Sequence, residues 1–334
     1  MQSTTRASRR WFARGLLAAL FALCASTQAL AQFPDKPVTL VVPFAAGGSL
    51  DVTARILADK LKDILGQPVI INNRPGAGSA VGARAVAGAP PDGYTLFFTS
   101  GSAFGYLHLL VPNMDVKLDD FTPVAAVAVN PSVIIATNRV PVKTLQELAN
   151  FNKPGGLSFC TTGANGLNHL QLEMFRRAVK AKTGHALNAT HVPYNGLAPA
   201  LTAVRAGNVD ACTLPYTSLV KQLNGKDLHI LAVQSNKRLP WLPDVPTTGE
   251  AGYPELDNND AFVNIDAPKG TPPAVVAKLE AAIEQAMQDP TVRKKLDDLE
   301  VRTVFMNSAE TKKWLEDDVR RIGGVIHEAG LEAK

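Results

Sequence analysis

Aromatic side chains make up 6% of this chain, and three cysteines are spread over 334 residues. Cysteine at that density rules out a disulfide-stapled mini-scaffold, so apolar packing must do the work of folding. No G-x-S-x-G elbow, H-E-x-x-H helix or zinc-spaced cysteine pair occurs, which removes the usual sequence support for a serine hydrolase or a zinc enzyme. Beyond the N-terminus no apolar run is long enough to cross a bilayer. A basic surface is lacking too. The formal charge of +4 comes from 34 Lys and Arg against 30 Asp and Glu. Residues 1–31 hold four Arg and no acid, so the rest of the chain carries 30 of each sign. Neither nucleic acid nor an anionic membrane is expected as a partner.

The N-terminal stretch reads as an export signal. Arg6, Arg9, Arg10 and Arg14 form a basic region, Gly15 to Ala25 a short apolar core, and Ala29-Leu30-Ala31 a small-residue cleavage site. Cleavage is expected after Ala31, releasing a periplasmic protein. Ser8-Arg9-Arg10-Trp11-Phe12 fits a twin-arginine signal, and the ordinary secretory route stays open. Cys24 falls in the apolar core, and Leu23 before it is too large for a lipid-attachment site. Cys160 and Cys212 survive cleavage. An oxidising compartment permits a bridge, but both end short apolar runs, and the reading favours free buried thiols.

What remains is rich in alanine and built from strand–turn–helix units. Val38 to Val42 is an apolar β-branched run, broken by Pro43, Gly47 and Gly48. Ser49 suits an N-cap, with Asp51 in the first turn. Ala54, Leu57, Leu61 and Leu65 then recur at helical spacing. Such a turn aims free backbone N–H groups out of a helix N-terminus, where they and the helix dipole favour an anion. The alternative is that the two glycines only make a tight turn. Further units begin at Pro68 and Tyr94. Leu157 to Cys160 enters Thr161-Thr162-Gly163-Ala164-Asn165-Gly166, a second small-residue turn before a helix, and Thr190 to Tyr194 enters Asn195-Gly196 before another. GAGSAVG, Gly76 to Gly82, misses the dinucleotide fingerprint because the third glycine stands at Gly82 and not at Val81.

Several strings in order resemble the Bug family, the extracytoplasmic solute receptors of tripartite tricarboxylate transporters. They are FPDKPVTLVVPFAAGGSLDVTAR from Phe33, NNRPGAG from Asn72, PDGYTL from Pro91, DFTPVA from Asp120, HVPYNGLAPA from His191, LPDVPTTGEAGYP from Leu242 and APKGTP from Ala267. The resemblance covers nearly the whole mature chain. It implies two Rossmann-like α/β lobes of the type II periplasmic-binding-protein fold, joined by a two-strand hinge and closing like a flytrap on a small organic acid. Residues 32–128 plus 262–334 would form lobe 1 and residues 129–261 lobe 2, with no cofactor or metal and a monomeric state. The partners implied are a small carboxylate, expected to be an aliphatic or aromatic dicarboxylate, and the membrane components of the transporter. The chain departs from the family at its facing turns. Ala45-Ala46 replace two prolines, Thr161 to Gly166 lacks a final serine, Asn195 replaces a lysine, and Phe262 replaces a tryptophan.

The expected ligand-contacting set is Phe44, Gly47, Gly48, Ser49, Asp51, Ser100, Thr161, Thr162, Gly163, Ala164, Asn165, Tyr194, Asn195 and Asp210. Each has a plainer alternative. Thr161 and Thr162 either donate hydroxyls to a carboxylate or cap a helix. Asn165 either reads a polar group or tolerates a left-handed turn. Asp210 either orients a bound water or caps a turn. Tyr194 lines the cleft or packs in the core, and Phe44 walls the cleft or packs under its turn. Two other functional classes stay open: a ligand sensor for a membrane kinase, and a hydrolase using Thr161 with His169, or Cys160 with His169 or His191. The export reading has its own check. Intact mass of protein recovered from the periplasm is expected to correspond to a chain starting at Gln32 without lipid; a chain retaining Cys24 would refute it.

Overall fold

The computed structural model describes residues 33–76, 79–100, 105–110, 113–164, 166–194, 196–216, 224–257 and 261–333. The chain alternates strands and helices in two sheets. Strands β1 (Val38–Val42), β2 (Val69–Asn73) and β3 (Thr95–Ser100) are linked by helices α1 (Ser49–Leu65) and α2 (Ala80–Ala87). A four-residue helix, α3 (Leu107–Leu110), precedes β4 (Phe121–Asn130) and β5 (Ser132–Thr137). Then come α4 (Leu145–Asn150), β6 (Leu157–Thr161), α5 (Leu167–Thr183), β7 (Ala189–Pro193), α6 (Leu197–Ala206), β8 (Ala211–Pro215) and β9 (Leu228–Val233). The chain closes with β10 (Ala261–Pro268), α7 (Pro273–Gln288), α8 (Pro290–Asp298), β11 (Arg302–Met306) and α9 (Ser308–Ala329).

The first sheet runs β11-β4-β10-β3-β1-β2 and the second β7-β6-β8-β5-β9. In the first, β1 is parallel to β2 and β3, whereas β10 is antiparallel to β3 and β4. In the second, β6 is parallel to β7 and β8, and β5 is antiparallel to β8 and β9. Only Pro131 separates β4 in one sheet from β5 in the other. The chain passes to the second sheet there and is back in the first at Ala261, the start of β10. Both sheets are covered on both faces, which is why their strands read as near-continuous apolar runs. In β5, Val133 and Ile135 face one core with Leu201 and Val204 of α6, while Ile134 and Ala136 face another with Leu170 and Phe175 of α5.

The structure corrects one expectation and adds two features at the end of the chain. Cys160 and Cys212 are joined in a disulfide. Both are fully buried on neighbouring parallel strands, opposite one another in register, with their Cα atoms 4.3 Å apart. Strand pairing that local sequence does not display brings them together. On the chain-entropy account such a bridge contributes about 4 kcal/mol. The tail is also not confined to the first sheet. α9 starts against β4, where Ser308 Oγ donates to the Pro123 carbonyl at 2.6 Å, and ends with Ile322 and Ile326 inside the core of α5. Its Glu328 pairs with Arg177 of α5. Finally, β11 was unforeseen: it is a short, half-exposed edge strand with little periodic signal.

The returning strand β10 holds a buried polar pair. Asn264 Nδ2 donates to Asp266 Oδ2, while Asp266 Oδ1, Asn264 Oδ1 and the Thr99 hydroxyl opposite Asn264 have no hydrogen-bond partner among the described residues. Burial pushes the Asp266 carboxyl up to about 8, against the Asn264 bond, which lowers it. An unfolded Asp titrates near 4. Between those values the native state keeps a proton that the unfolded state releases, so stability falls as pH rises, by about 1.4 kcal/mol per pH unit. Asp266→Asn should remove that slope. Between pH 6.5 and 8.0 the urea midpoint of wild type is expected to fall relative to that of the variant, since His169 and His191, whose pKa values burial lowers, raise both curves alike; parallel curves would show that Asp266 is already ionised in the native state.

Candidate ligand site between the two sheets

β1 and β3 run parallel and end at the edge of the first sheet where the chain crosses to the second. The β1–α1 turn therefore faces the other sheet. Residues Ala45 to Ser49 are exposed there. Gly48, not Ser49, is the N-cap of α1, and no side chain caps that helix. Gly47 has φ +84°, and a Cβ there would meet nothing within 4 Å, so backbone angle and not crowding is what demands glycine. Gly48 has φ −74° and ψ 164°, which any residue adopts. The conformational constraint sits at Gly47 alone.

Asp51 does not reach toward the cleft. It is 2% exposed, and its carboxylate accepts the Gly47 N–H at 2.8 Å, Arg55 Nε at 2.9 Å and Asn73 Nδ2 at 2.9 Å. Arg55 first, with the Gly47 amide and Asn73 helping against burial, holds its carboxyl down to about 2. Asn73 Nδ2 also donates to the Phe44 carbonyl at 3.0 Å. In a trans peptide the C=O and the following N–H point in opposite directions. The Phe44 carbonyl is turned to Asn73, so the Ala45 N–H is turned away from it, toward the exposed side. The Ser49 and Leu50 amides open the helix and have no intrahelical acceptor. The Phe44 ring packs against the first core, under the turn.

The second sheet offers a matching edge. The parallel strands β6 and β7 end at Thr161 and Pro193, and their two turns are stitched together. Tyr194 N donates to the Thr161 carbonyl at 3.0 Å, and Gly196 N to the Thr162 carbonyl at 3.2 Å. Here the hydroxyls are already committed. Thr161 Oγ1 donates to the Gly163 carbonyl at 2.8 Å and Thr162 Oγ1 to Asn168 Oδ1 at 2.6 Å. Their expected role as donors to a carboxylate is thereby corrected: each has one proton, and the turn uses it. Backbone is what remains available. Ala164 is exposed, and a Cβ at Gly163, Gly166 or Gly196 would meet nothing within 4 Å among the described residues. Asn165 and Asn195 lie outside the described residues. The Tyr194 ring packs against the core of α6.

Asp210 is not part of this edge. It precedes β8, at the opposite end of the second sheet, where Lys153 Nζ lies 2.6 Å and the Ser158 amide 2.8 Å from its Oδ2. Burial opposes its charge, but Lys153 and Ser158 hold its carboxyl below the usual range. It braces the sheet and faces away from the ligand side. Local sequence could not separate the two ends of a five-residue strand.

Between the sheets lies a cavity of about 210 Å³, room for a small organic molecule or several waters. It is lined by Gly47, Ser49 and Thr53, by Asn130 and Pro131 at the crossing, and by Tyr216, which follows β8. Val263, which also lines it, is the cross-strand neighbour of the buried Ser100. The Tyr216 hydroxyl donates to Glu300, and Arg302 Nη1 donates to Ser235 Oγ at 2.9 Å, so both lobes are held across this space. Tyr216 and Glu300 were not anticipated, since a loop residue far along the chain gives no local signal. Asn73 and Arg55 were also missed, although Asp51 and Arg55 stand at the i, i+4 spacing of a helical ion pair. Among the described residues no group of three or more His, Cys, Asp or Glu is placed to hold a metal.

The sequence pattern described as "Tripartite tricarboxylate transporter family receptor" matches residues 53–331. The chain belongs to that family. Protein BugT of Bordetella pertussis is 34% identical over 306 residues, covering 90% of this chain and 92% of its own. Among solved structures, the periplasmic binding protein BugD superposes with a TM-score of 0.76 at 31% identity, over 90% of this chain and 100% of that one. MatC from Rhodopseudomonas palustris with bound malate gives 0.74 at 32%, over 88% and 100%. A second R. palustris protein, with adipate, gives 0.77 at 30%, over 90% and 99%. This receptor therefore has the two-sheet fold of the periplasmic binding proteins, and its family members are solute-binding receptors and not enzymes.

The brace under the first turn is testable in the receptor without ligand. Asn73→Ala removes the bonds to Phe44 and to Asp51 from a half-exposed edge strand. Hydrogen exchange at the Gly47 amide is expected to speed up by about tenfold or more, the loss of roughly one to two hydrogen bonds. Exchange in β1 should stay unchanged. Unaltered Gly47 protection would mean that Asn73 does not hold the turn.

Proposed function

We propose that this receptor is exported to the periplasm, captures a small carboxylate, expected to be a dicarboxylate, between its lobes, and delivers it to the membrane components of a tripartite tricarboxylate transporter. Lobe 1 comprises residues 32–128 plus 262–334 and lobe 2 residues 129–261, with Tyr106 and Leu110 of lobe 1 and the end of α9 packed into a core of lobe 2. The receptor acts as a monomer. One observation carries the reading. The turns leading into α1 and α5 end at the facing edges of the two sheets, with Ala45 to Ser49 and Ala164 exposed there and no Lys or Arg among residues 43–49, 161–166 and 194–196. Such turns suit an acid held by peptide N–H groups and helix dipoles rather than by an arginine clamp. Malate and adipate in related structures support the ligand class.

A ligand that touches both lobes favours the closed state, because that state alone makes both sets of contacts. The hydrolase alternative loses support at Thr161, whose proton points to Gly163 and not to a base. Calorimetric titration with malate, adipate and their diamides tests the proposal. The acids should bind and the diamides should not, with affinity varying by less than about threefold between low and moderate salt, since buried hydrogen bonds are little screened. Small-angle scattering should show a smaller radius at saturation. Equal binding of acid and diamide, or a steep loss with salt, would overturn the amide-based reading.

A further inference from the structure

The sequence set His169 beside Thr161 and named His191 only beside Cys160, but it is His191 that contacts Thr161. It lies on β7, beside β6, with Nε2 2.7 Å from Thr161 Oγ1. Thr161 Oγ1 is in turn 2.8 Å from the Gly163 carbonyl oxygen. A carbonyl can only accept, so the single hydroxyl proton lies on the line to Gly163. The hydroxyl then has only lone pairs to offer His191, and Nε2 must carry the proton. The order is fixed: His191 donates to Thr161, and Thr161 donates to Gly163. With the Gly163 carbonyl drawn toward the sheet, the planar peptide turns the Ala164 N–H the other way, to the side where Ala164 is exposed and Gly163 fronts open space.

The ring is held in that pose. His169 of α5 stacks on it at 4.0 Å between centroids and 13° between planes. Glu173 lies 3.8 Å from His169 Nε2, and Arg176 pairs with Glu173 and donates to the Ala189 carbonyl at the start of β7. Burial, and then His169 and Arg176, lower the His191 ring to about 4, so it is neutral near pH 7. The Nε2–H survives protonation at Nδ1, so the relay does not depend on the charge of the ring.

We propose that His191 is a positioning residue of the ligand site, aiming the Ala164 amide at the bound acid through Thr161 and the Gly163 carbonyl. Its importance for binding rests on the carboxylate-receptor reading above; the relay itself does not. Long-range proton–nitrogen spectra of unliganded protein should report the Nε2–H tautomer at His191. The Ala164 amide resonance should move in His191→Leu and Thr161→Val and return toward the wild-type position in His191→Gln, which keeps a donor. With adipate as probe, His191→Leu and Thr161→Val should each weaken binding by about tenfold or more. The double variant should be no weaker than either single one, because both break the same chain. His191→Gln should recover most of the loss, and wild-type affinity should stay flat from pH 6 to 8. An Nδ1–H tautomer, or an unmoved Ala164 resonance in His191→Leu, overturns the relay even if that variant binds poorly. Should adipate and malate both fail to bind wild type, the carboxylate reading falls, and the tautomer and the Ala164 resonance still decide the relay. If the leucine variant does not fold, the wild-type tautomer, together with the Ala164 resonance in Thr161→Ser against Thr161→Val, decides it instead.

Discussion

The direction of a few peptide planes governs this receptor. A backbone N–H kept for a ligand must be denied every partner in the protein. Leaving such a group unpaired costs free energy, more so where water is excluded. The turn will relax into a self-satisfied conformation unless something prevents it. In the first lobe Asp51 and Asn73 prevent it by taking the inward Gly47 amide and the inward Phe44 carbonyl. In the second, Thr161 takes the Gly163 carbonyl. Asp51, Asn73 and Thr161 thus spend hydrogen bonds on the backbone of their turns, and on the proposed reading it is the backbone that meets the ligand. That division explains why glycine and alanine crowd the facing turns, while the charged group nearest the first turn, Asp51, is buried behind it.

The second turn is also tied to the crossing point. Thr162 donates to Asn168, and Asn168 Nδ2 reaches both Ser132 Oγ at 3.1 Å and Gln171 Oε1 at 2.8 Å. Ser132 directly follows Pro131, and its carbonyl accepts from Gln234 N at 2.8 Å. Thr213 Oγ1 continues the chain to Gln234 Oε1 at 2.9 Å. All of these side chains except Thr162 are buried, where hydrogen bonds are stronger and unpaired groups costlier than in water. Backbone rotation at the crossing and the orientation of the turn therefore share one polar network.

Much of this was legible in the chain itself. The β-branched run at Val38–Val42, the small-residue turn and the helical spacing to Leu65 marked the first unit with its boundaries nearly correct. The apolar runs on either side of Asn130-Pro131 marked the first crossing. The strings shared with other receptors marked the fold. What sequence could not supply was direction. Whether a threonine hydroxyl faces out or in, and which end of a strand an aspartate occupies, depend on partners far along the chain. Asp210 illustrates this: its identity suits a ligand site, but its partners, Lys153 and Ser158, lie at the other end of the sheet. Cys160 and Cys212 teach the same lesson, since strand register and not local pattern made them a pair. At the other extreme, Asp51 and Arg55 carry their signal in their own spacing, one helical turn apart.

α9 changes the mechanics of the whole. Twenty-two residues make a rod about 33 Å long, rooted on β4 at Ser308 and embedded beside α5 at Ile322 and Ile326. At Pro131 a single residue links the two sheets and resists twisting little. The helix runs in parallel with that link, and any swing of one lobe against the other loads it in bending. It carries adjacent glycines, Gly323 and Gly324, neither of which is required by crowding: a Cβ on the first would meet only Leu109 at ordinary contact distance and on the second nothing at all. Each costs roughly 1 kcal/mol of helix propensity relative to alanine. A rod clamped at both ends and softened near one clamp behaves as a leaf spring, with its compliance concentrated where it enters the second lobe.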